Sequence, residues 1–135
     1  MEIYIVAKFE KKEFVREVYQ KLETLGHHIS YDWTTHKPIK PYHENQDIAR
    51  IYGENEISAI LKSDVIIAFP DESGSTLFLE IGAAMILAAK EGKPKVYVVG
   101  ESNAKSPWFF SRYVKRCSSL DEVLVNMSSA LPKPL

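Results

Sequence analysis

Three short runs of consecutive apolar residues punctuate the chain: Ile3-Tyr4-Ile5-Val6-Ala7, Val65-Ile66-Ile67-Ala68-Phe69 and Val96-Tyr97-Val98-Val99. Runs of this length with no polar alternation predict strands covered on both faces, as in a parallel sheet. Between them the apolar positions change to helical spacing. Phe14, Val15, Val18, Leu22 and Leu25 predict a helix over about 11–25, stopped by Gly26. Ile48, Ile51, Tyr52, Ile57, Ile60 and Leu61 predict a second over about 46–62, which Gly53 is expected to interrupt. A third, from Thr76 to about Lys90, is apolar almost all round and closes at Gly92 and Pro94. His28 to Trp33 alternates weakly and predicts a strand nearer the edge, and Tyr113 to Cys117 a short fifth strand. The segment from Thr34 to about His43, with Pro38 and Pro41, predicts a loop. Ser118 and Ser119 before Leu120-Asp121-Glu122 predict a capped last helix, and Pro132 to Leu135 a loose tail.

Strand and helix in regular alternation, without repeat or linker, predict one α/β domain over 1–135. It should be a three-layer, flavodoxin-like or Rossmann-like sandwich around a five-stranded parallel sheet of order 2-1-3-4-5. That order sets the carboxyl ends of the first and third strands side by side, where open α/β sheets bind ligands. Tyr4 and Asp71 then flank the crevice. The polar turn Asp71-Glu72-Ser73-Gly74-Ser75-Thr76 opens the third helix. A helix start with small residues suits an anion, and Ser73, Ser75 and Thr76 suit a phosphate. The turn has neither a dinucleotide glycine pattern nor a P-loop lysine.

Glu80 is the residue out of pattern, set among Leu77, Phe78, Leu79, Ile81 and Ala83. A carboxylate there is costly unless it is paired or used. Near the positive end of a helix it is expected to stay ionised more readily than burial alone would allow. It suits a nucleophile that traps an oxocarbenium-like sugar carbon as a glycosyl ester. Asp71 is the candidate to protonate or hydrogen-bond the departing group, and Tyr4 the candidate to hold or orient the nucleophile. A purely structural glutamate, reaching a helix end or an arginine, is the plainer alternative. Trp33 has the face to stack on a base; His36 and His43 read as loop histidines rather than metal ligands.

Composition narrows the classes. A net charge of -1 leaves no electrostatic footprint for a nucleic acid polymer or an anionic membrane. Cys117 is the only cysteine, so no disulfide within the chain and no cysteine metal site is expected. No apolar run reaches the roughly 18–20 residues of a membrane span, and the opening on a strand-like segment leads us to expect a cytoplasmic protein.

On the first strand, Ser63 to Ala68, Glu80-Ile81-Gly82-Ala83-Ala84 and Gly92 to Tyr97, the sequence resembles the nucleoside 2-deoxyribosyltransferase family, which includes deoxynucleoside monophosphate N-glycosidases. The resemblance spans most of the domain. It implies that Glu80 attacks C1′ of the sugar, that Asp71 and Tyr4 serve it, and that Ala7, Phe9, Trp33, Ser73, Gly74, Ser75 and Thr76 meet the substrate. It further implies cleavage of the N-glycosidic bond of a 2′-deoxynucleoside or its 5′-monophosphate, with transfer to another base. No cofactor and no metal are implied, and the partner is a second copy of the chain, in a homodimer or larger homo-oligomer. The Trp108-Phe109-Phe110 cluster is the expected contact. The chain departs from the family where Ala7-Lys8 replaces Gly-Pro and where Thr76 stands four residues before the glutamate in place of glycine. Gly74 also stands where an acid is common, six residues before it. Three alternatives stay open: a strict nucleotide hydrolase, a non-catalytic nucleotide-binding or interaction module on the same scaffold, and a flavin carrier.

Overall fold

The computed structural model describes residues 1–129; the tail from Pro132 to Leu135 lies outside the described residues. Five parallel strands form one sheet of order β2-β1-β3-β4-β5: β1 (Glu2–Val6), β2 (His28–Ile29), β3 (Val65–Ala68), β4 (Lys95–Val99) and β5 (Val114–Cys117). The helices are α1 (Lys12–Thr24), α2 (Gln46–Lys62), α3 (Ser75–Glu91) and α4 (Leu120–Ser129). The expected three-layer α/β architecture and strand order are the ones found.

The central strands follow from their sequence. Every residue of β3 is buried, as are Ile3 to Val6 of β1 and Val96 to Val99 of β4. Apolar side chains on both faces require helices on both faces. On one face lie α1 and α4, joined by a Lys21–Asp121 ion pair of 2.9 Å. On the other α2 packs beside α3. Register puts Tyr4 beside Ile66 and Val6 beside Ala68, so β1 and β3 end level with each other. The crevice opens there.

Local chemistry sets the boundaries. Gly92 ends α3 in the left-handed region, φ +81°, where its N–H reaches the carbonyl of Ala88. Ser119 Oγ accepts from the Glu122 backbone N–H at 3.2 Å, while the Glu122 carboxylate accepts from the Ser118 N–H at 2.6 Å. The expected cap of α4 is therefore present.

Three expectations need correction. The second strand does not run from His28 to Trp33 but stops at Ile29. The Asp32 carboxylate accepts the Thr34 N–H at 2.9 Å and turns the chain into a 3-10 turn over Trp33–Thr35. The Trp33 indole N–H then donates to the Ile5 carbonyl at 2.7 Å, which ties the departing chain to β1. Secondly, α2 is unbroken through Gly53, because a local cost of about 1 kcal/mol is small beside the packing of the whole helix. Thirdly, its apolar positions do not form one buried face. Ile60 is buried with Ala59, whereas Ile51, Ile57 and Leu61 are exposed.

Candidate active site

A cavity of about 590 Å³ opens at the carboxyl ends of β1 and β3, a size suited to a small-molecule ligand. Four pieces of chain wall it. Ala7, Lys8 and Phe9 leave β1; Trp33 and the loop from His36 to Lys40 arch over; α2 contributes Tyr52, Gly53 and Glu56; Gly74 to Leu77 and Glu80 come from the start of α3.

Gly74 shapes the entry to α3. Its φ of +124° lies where side chains are disfavoured, and a Cβ there would come within 3.3 Å of Leu77 and 3.4 Å of the Lys8 side chain. No side chain caps this helix end, which leaves its first N–H groups without intrahelical partners, and Ser75, Thr76 and Leu77 of this turn line the cavity. The Lys8 ammonium lies beside it, 3.2 Å from Ser73 Oγ, to which it donates. Positive charge and free donors thus meet at one end of the cavity.

At the floor, the Tyr4 hydroxyl donates to Glu80 Oε2 at 2.7 Å. Tyr4 has no solvent exposure and reaches Glu80 from beneath, out of β1. Burial pushes the Glu80 carboxyl up to about 8; the charge of Glu56 adds to the rise and the Tyr4 hydrogen bond opposes it. The helix start therefore does not hold Glu80 in the usual carboxylate range, because its desolvation outweighs the dipole. Burial likewise pushes Glu56 up to about 7. Both carboxyls line the same cavity.

The loop over the cavity is held by aromatic contacts. The His36 ring stacks on Tyr52 with centroids 3.6 Å apart and 2° between planes. Tyr31 Oη lies 2.5 Å from His36 Nε2, and the Lys37 N–H donates to the Tyr52 hydroxyl at 3.0 Å. Burial lowers the His36 pKa, so the imidazole is neutral at pH 7. Its role here is packing.

No family model and no curated protein matches the sequence. Among solved structures the chain is similar to Clostridium botulinum CMP N-glycosidase, BcmB, with a TM-score of 0.60 and 17% identity. The match covers 96% of this chain and 99% of that one. The two proteins share one fold. At this identity the likeness is one of architecture.

The residues singled out in the sequence divide on that geometry. Glu80, Ala7, Phe9, Trp33, Gly74, Ser75 and Thr76 share the cavity wall, and Tyr4 touches it through Glu80. Ser73 and Asp71 are not part of the wall. Asp71 pairs with Lys11 at 3.3 Å and accepts the Glu72 N–H at 2.7 Å. Those contacts, the Glu72 N–H first, lower its pKa. Asp71 is thus an anion at neutral pH and acts as a hydrogen-bond acceptor.

Sequence reasoning missed Glu56, Tyr52 and the loop lysines Lys37 and Lys40, all in the wall. A signal was present for the first two. Ala49, Tyr52, Gly53 and Glu56 recur at positions i, i+3, i+4 and i+7, one face of a helix. That face interrupts the isoleucines with small and polar residues.

Proposed function

We propose that this protein cleaves the N-glycosidic bond of a nucleoside 5′-monophosphate through a covalent glycosyl ester on Glu80. The observation that carries the reading is Glu80 itself, a desolvated carboxyl at the floor of a nucleotide-sized cavity with a buried tyrosine hydroxyl on one oxygen. The free oxygen of Glu80 attacks C1′ of the sugar. The C1′–N bond breaks, and the base takes the bonding pair and a proton. The ester is then opened at C1′, by water in a hydrolase or by a second base in a transferase. Neither route calls for a metal or redox cofactor.

The monophosphate, rather than the bare nucleoside, is favoured by Lys8 and the uncapped start of α3. Nucleotide cleavage also agrees with the activity in the name of the structural neighbour. The decisive assay is chromatographic. Each nucleoside and nucleotide, in ribo and deoxy forms, is incubated with and without a second base, beside Glu80→Ala. Free base from monophosphates alone, lost in Glu80→Ala, supports the reading. A new nucleotide formed only with added base makes the protein a transferase, and the absence of any Glu80-dependent product removes the proposal.

The homo-oligomer belongs to the same reading, with its contact moved from the expected place. Trp108 and Phe110 are exposed, but Phe109 is buried and the Arg116 guanidinium covers Phe110 at 4.1 Å. A broader apolar surface lies on α2 and α3. Leu79 is 72% exposed, Ile86 58%, and Ile57 and Leu61 60% each. Leu79, Ala83 and Ile86 form one outward stripe of α3 without a charge, as interface centres require. A second copy bringing the same two helices covers it. Light scattering should give a dimer for the wild type and a monomer for Leu79→Glu/Ile86→Glu; a monomeric wild type at tens of micromolar refutes it.

A further inference from the structure

A second cavity, of about 270 Å³, lies where β4 and β5 begin, at the opposite end of the sheet from the first. The two cavities share no lining residue. Lys95 and Tyr97 stand two residues apart on β4, and Lys115 of β5 stands two after Tyr113, so each pair keeps to one face of the sheet. Register sets Tyr97 level with Lys115, one strand spacing of about 4.8 Å away. Arg112 and, from α4, Asn126 complete the polar part of the wall.

Among the described residues no carboxylate lines this cavity, and none pairs with Lys95, Arg112 or Lys115. Glu122, one turn before Asn126 on α4, is already committed to the Ser118 N–H at 2.6 Å. The Arg112 guanidinium lies 5.3 Å from the centre of the Tyr113 ring, and its Nε donates to the Tyr113 hydroxyl at 3.3 Å. That contact holds the arginine at the cavity and leaves its terminal nitrogens to donate elsewhere. Tyr97 is only 3% exposed. Its hydroxyl has no hydrogen-bond partner among the described residues, yet unlike the Tyr19 hydroxyl it is not sealed from solvent. Burial raises its pKa, so at neutral pH it keeps a proton to donate. A buried hydroxyl without a protein partner is costly unless water or a ligand accepts from it.

We propose that this cavity is a second anion site, which binds a phosphoryl dianion between Lys95, Arg112 and Lys115 with the Tyr97 hydroxyl donating to one of its oxygens. Three cations and a hydroxyl match a dianion with several acceptor oxygens, and a guanidinium can meet two of them at once. The volume lies just below the roughly 300–1,000 Å³ usual for larger ligands. It suits inorganic phosphate or a small phosphorylated sugar better than a whole nucleotide.

The site does not depend on the proposed cleavage and is tested without turnover. The nitrogen-15-labelled full chain is titrated with inorganic phosphate and with ribose 5-phosphate at constant ionic strength, with sodium chloride and ribose as controls, while amide shifts are followed by NMR. Saturable shifts at Lys95 to Tyr97 and Arg112 to Lys115 are expected, with no such response to ribose or chloride. Saturation by both phosphates identifies the phosphoryl group as what is bound; saturation by ribose 5-phosphate alone adds the sugar to the recognised ligand. The double variant Arg112→Ala/Lys115→Ala should weaken binding about tenfold or more. Tyr97→Phe, which deletes only the hydroxyl, should weaken it about tenfold. Shifts that never saturate or that chloride reproduces overturn the site. So do saturable shifts confined to Lys8 and Gly74 to Leu77, which place the anion in the first cavity alone, and so does wild-type affinity in both variants. The spectrum of each variant reports its fold, and if Tyr97→Phe disturbs it, the exposed Lys95→Gln takes its place and should weaken binding severalfold.

Discussion

Tyr4 offers a perturbation of one oxygen. Tyr4→Phe keeps the ring in its fully buried place and deletes only the hydroxyl that donates to Glu80 Oε2 at 2.7 Å. A hydrogen bond to a charged group contributes about 1.5–3 kcal/mol, and one pKa unit corresponds to about 1.4 kcal/mol. The bond opposes the rise that burial imposes on Glu80, so its removal raises the pKa further, by about 1–2 units. If the nucleophile must be ionised, the acid limb of the kcat/KM profile for base release shifts up by that amount. At neutral pH the rate falls about 10- to 100-fold, while the plateau at high pH recovers toward wild type. Liquid chromatography of released base across the pH range measures this, with a carbon-13 titration of the glutamate carboxyls as an independent reading. An acid limb that stays put or moves down refutes the argument. A loss of rate equal at every pH places Tyr4 against the substrate instead of behind Glu80.

Glu80→Gln should stabilise the protein at high pH. The native state keeps the Glu80 proton up to about 8 whereas the ordinary value is 4.5. Wild-type stability from this group is therefore complete below about 4.5 and falls as pH rises through about 8; thermal melts should show the variant's advantage absent at pH 4 and reaching about 2–5 kcal/mol at pH 9. Gly74→Ala should cost about 1–2 kcal/mol in a urea melt, because φ is +124° and its methyl meets Leu77 and Lys8; an unchanged midpoint speaks against a constrained turn. Lys8→Ala should raise KM for a monophosphate about tenfold or more with little change for the parent nucleoside, as loss of a charge-assisted contact predicts; equal effects on both place the phosphate elsewhere. Lys11→Ala, which leaves Asp71 without its cation, should leave kcat essentially unchanged, since neither side chain lines the cavity.

The sheet was legible because its signal is local and dense. The unbroken apolar runs within β1, β3 and β4 have few competing readings, and their order follows from the alternation with helices. The edge was harder. At β2 a single Asx turn at Asp32 outweighs a weak alternation, and propensity does not reveal which side-chain oxygen will capture a backbone N–H. In the candidate site, Glu80 stood out as a charge among apolar neighbours and Tyr4 followed from topology. Glu56 did not stand out. It lies in a helix with Glu54 two residues before and Asn55 beside it, where an acid usually faces water, and only the packing of α2 against α3 turns it inward. Asp71 shows the reverse: its position at a strand end is conspicuous, yet its carboxylate pairs with Lys11 and lies outside the cavity wall.

Gly53 gives the cavity an adjustable dimension. A Cβ built at this position meets nothing within 4 Å, although the residue lies in the middle of a helix and in the wall. Alanine there would gain about 1 kcal/mol of helix stability, so the glycine exchanges rigidity for room beside the two acids. Replacing it in turn by alanine, valine and leucine reduces the space in steps, without touching Glu56 or Glu80. Position 53 is thus the natural dial for ligand size, and the largest base still accepted at each step would trace the shape of the bound molecule from inside the wall.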